Sequence, residues 1–148
     1  YNDDNFASSV TTFDNSPLDR AVRSYKPGEM YQSDDTQHYV EYNYALNVAN
    51  EVKRILVNSA GNILISGNYA AESLYKNTVT DEDGIQITTF TDAEGKTILE
   101  RRLVATNSYA DTYYVYVLAE YLIFPIVVLR SMYSTHRTMT ITMRYLLH

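Results

Sequence analysis

The sequence predicts an all-β fold, an antiparallel β meander of repeated hairpins with at most one short helix. Three observations support this prediction. Short runs rich in Thr, Ile, Val, Phe and Tyr recur along the chain, and these residues suit a pleated, half-buried surface. Two acidic-glycine corners, Asp81–Gly84 and Asp92–Gly95, stand eleven residues apart. Tyrosine occurs 15 times against 4 phenylalanines and no tryptophan, which favours sheet faces where the ring packs and the hydroxyl reaches solvent.

The segment Leu74–Arg102 contains both corners and is the clearest part of the pattern. The aspartate that begins each corner can accept a hydrogen bond from the backbone two residues on. The glycine that ends each corner can take a positive φ without a steric penalty. We therefore predict three consecutive strands joined by two tight hairpins.

The N-terminal part, residues 1–44, also alternates between strands and turns. The two early prolines, Pro17 and Pro27, mark turns, and residues 30–36 predict a polar excursion. In the last strand of this part, Val40, Tyr42 and Tyr44 share the more apolar face. The predicted strands are Ser8–Phe13, Asp19–Tyr25 and His38–Tyr44.

The segment Ala45–Asn62 fits two patterns, because its apolar spacing roughly suits a helix and equally suits the alternation of a strand. We predict a strand at Glu51–Val57, closed by a reversal at Ser59–Asn62 and followed by a short strand at Ile63–Ser66. A helical turn at Ala45–Asn50 remains open.

A further aromatic strand is predicted at Ser108–Tyr116. After it, the composition of the chain becomes more apolar and less charged. Residues 117–148 hold 19 apolar residues among 32, and the only charged side chains there are Glu120, Arg130, Arg137 and Arg144. The run 117–129 is too short for a membrane helix and predicts a buried strand pair, whereas the alternation in 138–145 predicts another strand. We expect an apolar tail at 117–148, packed as strands on the same domain as 1–116.

A common order of residues recurs in the first 116 residues: an aromatic residue, an aspartate one or two places on, a reversal, and a basic residue before the next strand. It appears at Phe13–Arg20 and at Phe90–Lys96. The motifs in order are FDNSPLDR (13–20), KPGEMY (26–31), HYVEYNY (38–44), NEVKR (50–54), LYKNTVTDEDG (74–84), FTDAEGKTILERR (90–102) and DTYYVY (111–116). With this set, the segment 1–116 resembles the YD-repeat, or RHS, family, in particular RHS-type proteins of Bacteroidetes just upstream of their RHS core.

The resemblance implies a non-catalytic structural scaffold within a large secreted or cell-surface protein, located outside the cell. In that family, YD repeats wrap into a β shell that encloses and carries a C-terminal effector, often a toxin. The implied partners are neighbouring repeats of the full-length protein and that effector. The tail departs from the family, because Val117–Glu120 stands where another Asp-x-x-Gly turn would follow. We therefore expect the tail to be a frameshifted or truncated end.

Composition excludes several classes of function. The formal net charge is -6, so no general basic field is present to hold phosphates, which argues against nucleic acid as a partner. The chain has no cysteine, which excludes disulfides and thiolate chemistry. No apolar run approaches the roughly 20 residues of a membrane-spanning helix. The chain begins with Tyr1 and a polar stretch, so we expect it to be part of something longer.

Candidate catalytic and metal-binding residues are few. The corner carboxylates could bind calcium, but their spacing differs from that of a twelve-residue calcium loop, and Asp-Gly turns need no metal. A glycosidase pair drawn from them would need a cleft that exposed turns do not provide. The histidines have no spacing that suggests shared ligands. We predict no enzyme and no catalytic, cofactor-binding or metal residue. The residues weighed are Asp81, Glu82, Asp83, Asp92, Glu94, His38, His136 and His148.

An alternative function is a binding module that recognises glycan or protein through tyrosine-rich sheet faces. The rings could form a stacking surface, although cross-strand packing explains them more simply. The residues concerned are Tyr39, Tyr42, Tyr44, Tyr113, Tyr114 and Tyr116. Strand edges exposed by removal from a repeat array tend to recruit another chain, so a homodimer or strand swapping is also expected.

Overall fold

The structure is a computed structural model that describes residues 7–28, 38–58, 60, 62–106, 108–119, 122–133 and 142–145. These residues form eleven strands and no helix, which confirms the all-β prediction. The strands are β1 (Val10–Phe13), β2 (Ala21–Tyr25), β3 (Tyr39–Leu46), β4 (Lys53–Val57), β5 (Ile63–Asn68), β6 (Tyr75–Thr80), β7 (Gln86–Thr91), β8 (Thr97–Ala105), β9 (Ser108–Ala119), β10 (Leu122–Tyr133) and β11 (Thr142–Tyr145).

The described strands belong to two sheets. The hydrogen-bonded order in the large sheet is β1-β2-β3-β6-β7-β8-β9-β10-β11, and β4 pairs with β5 in a small one. The pairs with a defined register, such as β7 with β8 and β8 with β9, are antiparallel. The chain divides into two compact units, Tyr1–Asn43 with Thr78–Gln86, and Tyr44–Asn77 with Ile87–His148.

The segment after Leu46 is not the helical turn that the sequence left open. Residues 47–48 are irregular and residues 49–50 form a turn, in which Asn50 has a φ of 63°. Asparagine tolerates this left-handed backbone better than most residues do. The buried Asn47 side chain bonds to the backbone of Val48, Ala70 and Leu74, and this competes with helix formation.

The other strand predictions differ from the structure mainly at their ends. β1 starts at Val10 rather than Ser8, and β5 continues to Asn68. In the last quarter of the chain, β9 extends to Ala119, and β10 and β11 belong to the same large sheet. The predicted excursion at 30–36 and residues 138–141 of the last predicted strand lie outside the described residues.

The two acidic-glycine corners have the predicted hydrogen bonds. Asp81 Oδ1 accepts the N–H groups of Asp83 and Ile85 at 3.0 and 2.7 Å. At the second corner, Asp92 Oδ1 accepts two N–H groups at 2.9 Å, those of the residues two and four places on. Gly84 and Gly95 have φ values of 78° and 82°. The backbone therefore reverses at both corners, and β6, β7 and β8 are neighbours in the sheet.

Two further corners use the same arrangement. Asn58 Oδ1 accepts the N–H groups of Ala60 and Asn62 at 3.0 and 2.8 Å between β4 and β5. Asp14 Oδ1 accepts the N–H groups of Ser16 and Arg20 at 3.2 and 3.1 Å between β1 and β2. A carboxylate or amide oxygen at the first position thus satisfies backbone donors that a tight turn leaves unpaired.

A hydrophobic core lies in the second unit. Phe90, Leu99 and Tyr113 are nearly inaccessible to solvent, and they occupy facing positions on β7, β8 and β9. Full burial of each such side chain stabilises the fold by about 1.5–3 kcal/mol. The core cluster comprises Val52, Ile55, Leu74, Phe90, Ile98, Leu99, Tyr113 and Val115.

Candidate functional site

A half-open pocket of about 420 Å³ lies beside this core, within the second unit. Its walls come from the turn before β4, the start of β4, and the strands β8 and β9. We call it the Lys53 pocket. Its lining residues are Asn50, Glu51, Lys53, Arg101, Tyr109 and Tyr113.

One wall is fixed by a buried ion pair. Arg101 and Asp111 face each other across β8 and β9. Arg101 Nε and Nη2 donate to the two carboxylate oxygens of Asp111, both at 2.8 Å. The hydrogen bonds to Asp111 raise the pKa of Arg101, and burial opposes this effect. Because both partners are charged and the contact is bidentate, the guanidinium is held in one orientation.

A second ion pair involves the lining residue Glu51. Lys76 Nζ lies 2.5 Å from Glu51 Oε1, and the Val48 N–H donates to Glu51 Oε2 at 2.9 Å. Burial raises the pKa of Glu51, but the hydrogen bonds from Lys76 and Val48 and the charges of Lys76 and Arg101 outweigh it. The pKa of Glu51 therefore lies below its ordinary value, and this carboxylate is ionised at neutral pH.

The aromatic residues complete the walls. The buried Tyr113 accepts the Lys53 N–H on its hydroxyl at 3.3 Å, which ties the start of β4 to β9. The Arg101 guanidinium carbon lies 5.5 Å from the centre of the Tyr109 ring, within the range of a cation-π contact. Both tyrosines therefore belong to a preformed surface.

Asn50 is positioned by a neighbouring amide. Asn68 Nδ2 donates to Asn50 Oδ1 at 2.8 Å, which leaves the Nδ2 donors of Asn50 as its available polar group. The left-handed backbone of Asn50 adds to this constraint. Residues in sparsely populated backbone regions often occur at functional sites.

The residues considered from the sequence as metal ligands lie in separate turns or at the surface, or outside the described residues. Asp81 and Asp92 are occupied in the corners described above. Among the described residues, no group of three or more His, Cys, Asp or Glu could hold a metal ion. His38 is exposed and directly precedes β3, whereas His136 and His148 lie outside the described residues.

The six tyrosines considered as a stacking row differ in their environments. Tyr113 is buried in the core, and Tyr116 packs against the core while its hydroxyl donates to the Thr97 carbonyl at 3.0 Å. Burial raises the pKa of both Tyr114 and Tyr116. Tyr39 packs against the ring of Tyr25, with a centroid distance of 5.4 Å. Tyr113 and Tyr116 thus serve in packing rather than in an exposed row.

Sequence reasoning missed the residues of the Lys53 pocket. One signal was present: Asp111 is a charged residue inside the aromatic strand SYADTYYVY, and charged residues in such positions are usually paired. Arg101, the partner, lies in the preceding predicted strand. Nothing in the local pattern indicated Asn50 or Lys53, since their approach to β8 and β9 depends on the tertiary fold.

No family model, curated protein or solved structure matches the chain. Within the described ranges, no helix is long and apolar enough to cross a membrane.

Proposed function

We propose that the chain is a non-catalytic structural segment of a cell-surface or secreted RHS-type protein, where it forms part of a β shell around a C-terminal effector. The observation that carries this proposal is the repeated corner. At Asp14, Asn58, Asp81 and Asp92, one side-chain oxygen accepts two backbone N–H groups and closes a strand reversal. Recurrence of one hairpin design is typical of repeat proteins, in which each unit packs on its neighbours.

Exposed apolar surface gives a second line of support. On the small sheet, Leu56 and Leu64 are cross-strand partners on one face, and they are 41% and 50% exposed. Exposed apolar patches mark surfaces that pack on another module. A repeat segment would cover this face with the next unit of its array.

The coding sequence on either side of the segment provides the first test. We expect further hairpin units with Asp or Asn corners, followed by a variable C-terminal domain. An RHS-like continuation in a neighbouring frame after Tyr116 would identify the tail as frameshifted. If all frames lack such repeats on both sides, the scaffold proposal is wrong.

Protease protection tests the carrier role directly. The downstream domain should resist trypsin when expressed with the intact repeats. A double substitution that disrupts the second corner, Asp92→Ala with Gly95→Val, should expose it. Glu94→Gln is the matched control, because Glu94 lies in the same corner and its side chain is largely exposed. Equal cleavage of the downstream domain in all three proteins would contradict the carrier role.

We also propose self-association of the isolated segment. β1 and β11 are the outer strands of the large sheet among the described residues, and every residue of β1 is exposed. Unpaired edge strands recruit other chains. Light scattering should show a mass that rises with concentration, and a constant monomer mass would contradict this proposal.

A further inference from the structure

We propose that the Lys53 pocket binds a sugar acid, a saccharide that carries a carboxylate such as a hexuronic acid. This goes beyond the scaffold role and does not depend on it, because the argument uses only the pocket itself. Its volume of about 420 Å³ falls within the range of about 300–1,000 Å³ that is usual for small-molecule sites.

The charge balance of the walls favours an anion. Arg101 is paired with Asp111, and Glu51 is paired with Lys76, so these four charges largely cancel. None of the ion pairs formed among the described residues includes Lys53. Because Lys53 also lines the pocket, its positive charge is left to balance a carboxylate on the ligand.

The remaining polar groups favour a ligand rich in hydroxyls. Arg101 uses Nε and Nη2 for Asp111, and among the described residues its Nη1 donors have no hydrogen-bond acceptor. Asn50 Oδ1 accepts from Asn68, and the Asn50 Nδ2 group donates to no residue within the described ranges. Glu51 accepts one hydrogen bond on each carboxylate oxygen, which leaves further lone pairs for ligand hydroxyls. Sugars offer both donors and acceptors, and the Tyr109 ring offers a surface for the apolar face of the sugar.

The lining also argues against a peptide C-terminus, the other common source of a carboxylate. Peptide sites combine a carboxylate nest with pockets for side chains. The six lining residues are polar, charged or tyrosine, and none is aliphatic. Such walls match a sugar ring more closely than a terminal apolar side chain.

Isothermal titration of the full 148-residue chain with sodium D-glucuronate and D-galacturonate tests the proposal, with D-glucose and a short peptide with a free C-terminus as comparisons. We expect saturable binding of at least one uronate and at least tenfold weaker binding of glucose. Equal binding of glucose, absence of binding by both uronates, or tighter binding of the peptide would each overturn the proposal.

Three variants locate the site. Lys53→Gln should weaken uronate binding about tenfold, as expected for loss of a hydrogen bond to a charged group. Asn50→Asp keeps the acceptor for Asn68 and tolerates the left-handed backbone, but it adds a negative charge and should weaken uronate binding similarly. Arg54→Gln removes the same charge at an exposed neighbour that does not line the pocket, so binding should be unchanged. Unaltered binding by Lys53→Gln, in a variant whose thermal melt matches the parent, would contradict the assignment.

Discussion

Asp111 and Arg101 face each other on β9 and β8 and are joined by two hydrogen bonds of 2.8 Å, with the Asp111 carboxylate completely buried. The pair lies beside the aromatic core and holds one wall of the Lys53 pocket. Burial of a carboxylate is costly unless an opposite charge and hydrogen bonds compensate it, and Arg101 provides both. Substitution of either partner should therefore lower the free energy of unfolding more than substitution of a nearby surface residue does.

We expect Asp111→Ala to lower the free energy of unfolding by about 3 kcal/mol, because it leaves the guanidinium half-buried without a counter-charge. Urea denaturation monitored by circular dichroism measures this change. Asp83→Ala removes an exposed carboxylate and should change stability by less than about 0.5 kcal/mol. The double variant Arg101→Met with Asp111→Leu should recover most of the loss. Equal stability of Asp111→Ala and Asp83→Ala would contradict a structural role for the pair.

Asn47 is the second buried polar residue whose removal should be costly. Its Oδ1 accepts the Leu74 N–H at 2.7 Å, and its Nδ2 donates to the Ala70 carbonyl at 2.7 Å. Asn47→Ala would leave the Leu74 N–H without its acceptor, whereas the Ala70 carbonyl keeps the hydrogen bond from the Ser73 hydroxyl, so we expect a loss of about 1–3 kcal/mol in the free energy of unfolding. Chemical denaturation provides the measurement.

Two further variants define this effect. Asn47→Asp keeps the acceptor for Leu74 but places a carboxylate oxygen against the Ala70 carbonyl, so it should also be destabilising. Asn77→Ala removes an exposed asparagine of β6 and should be nearly neutral. If Asn47→Ala unfolds at the same urea concentration as Asn77→Ala, these hydrogen bonds do not stabilise the fold.

Local patterns predicted the strands and corners well, and the reason is physical. Reversal at Asp81 and Asp92 depends on one side chain and one glycine within a few residues, so the sequence itself contains the full signal. The helical turn left open at Ala45–Asn50 shows where prediction from local patterns fails. There Asn47 bonds to Ala70 and Leu74, more than twenty positions away, and no local pattern reveals those partners.

The Lys53 pocket was beyond local prediction for the same reason. Lys53 and Arg101 are far apart in the sequence, and only the packing of β4 near β9 brings both to one pocket. Asp111 was the single residue whose unusual setting, a charge within an aromatic strand, indicated a buried partner. The other residues of the pocket come together through contacts between strands that are distant in the sequence.

Gly95 provides a test of the corner geometry. Its φ is 82°, and an added Cβ would meet no atom within 4 Å, so only the backbone conformation resists substitution. Gly95→Ala should therefore cost about 1–2 kcal/mol in the free energy of unfolding. Gly95→Asn should cost less, because asparagine visits the left-handed region more readily. Thermal and urea denaturation measure both, and identical stability of the parent and Gly95→Ala would contradict a left-handed corner.

Acid should weaken the corner between β1 and β2 through Asp14. The side-chain hydrogen bond from Ser16, with those from Arg20, lowers the pKa of Asp14 from 3.8 to about 2, against an opposing effect of burial. Since the folded pKa lies below the ordinary value, the contribution of Asp14 is fully present above about pH 4. It is lost as the pH falls through about 2. Carbon-detected NMR titration of the Asp14 carboxyl group in the folded chain measures the shift directly.

Substitution of Ser16 separates the causes of this shift. Ser16→Ala removes the hydroxyl that donates to Asp14 Oδ1 at 2.7 Å, the largest of the effects, but keeps the backbone N–H and the Arg20 contacts. The pKa of Asp14 should therefore rise toward 3.8 without reaching it. In Asp14→Asn the amide oxygen can still accept the backbone hydrogen bonds, so the corner should persist while its acid dependence disappears. A folded-state pKa near 3.8 in the unsubstituted chain would show that this corner does not hold the carboxylate as the geometry indicates.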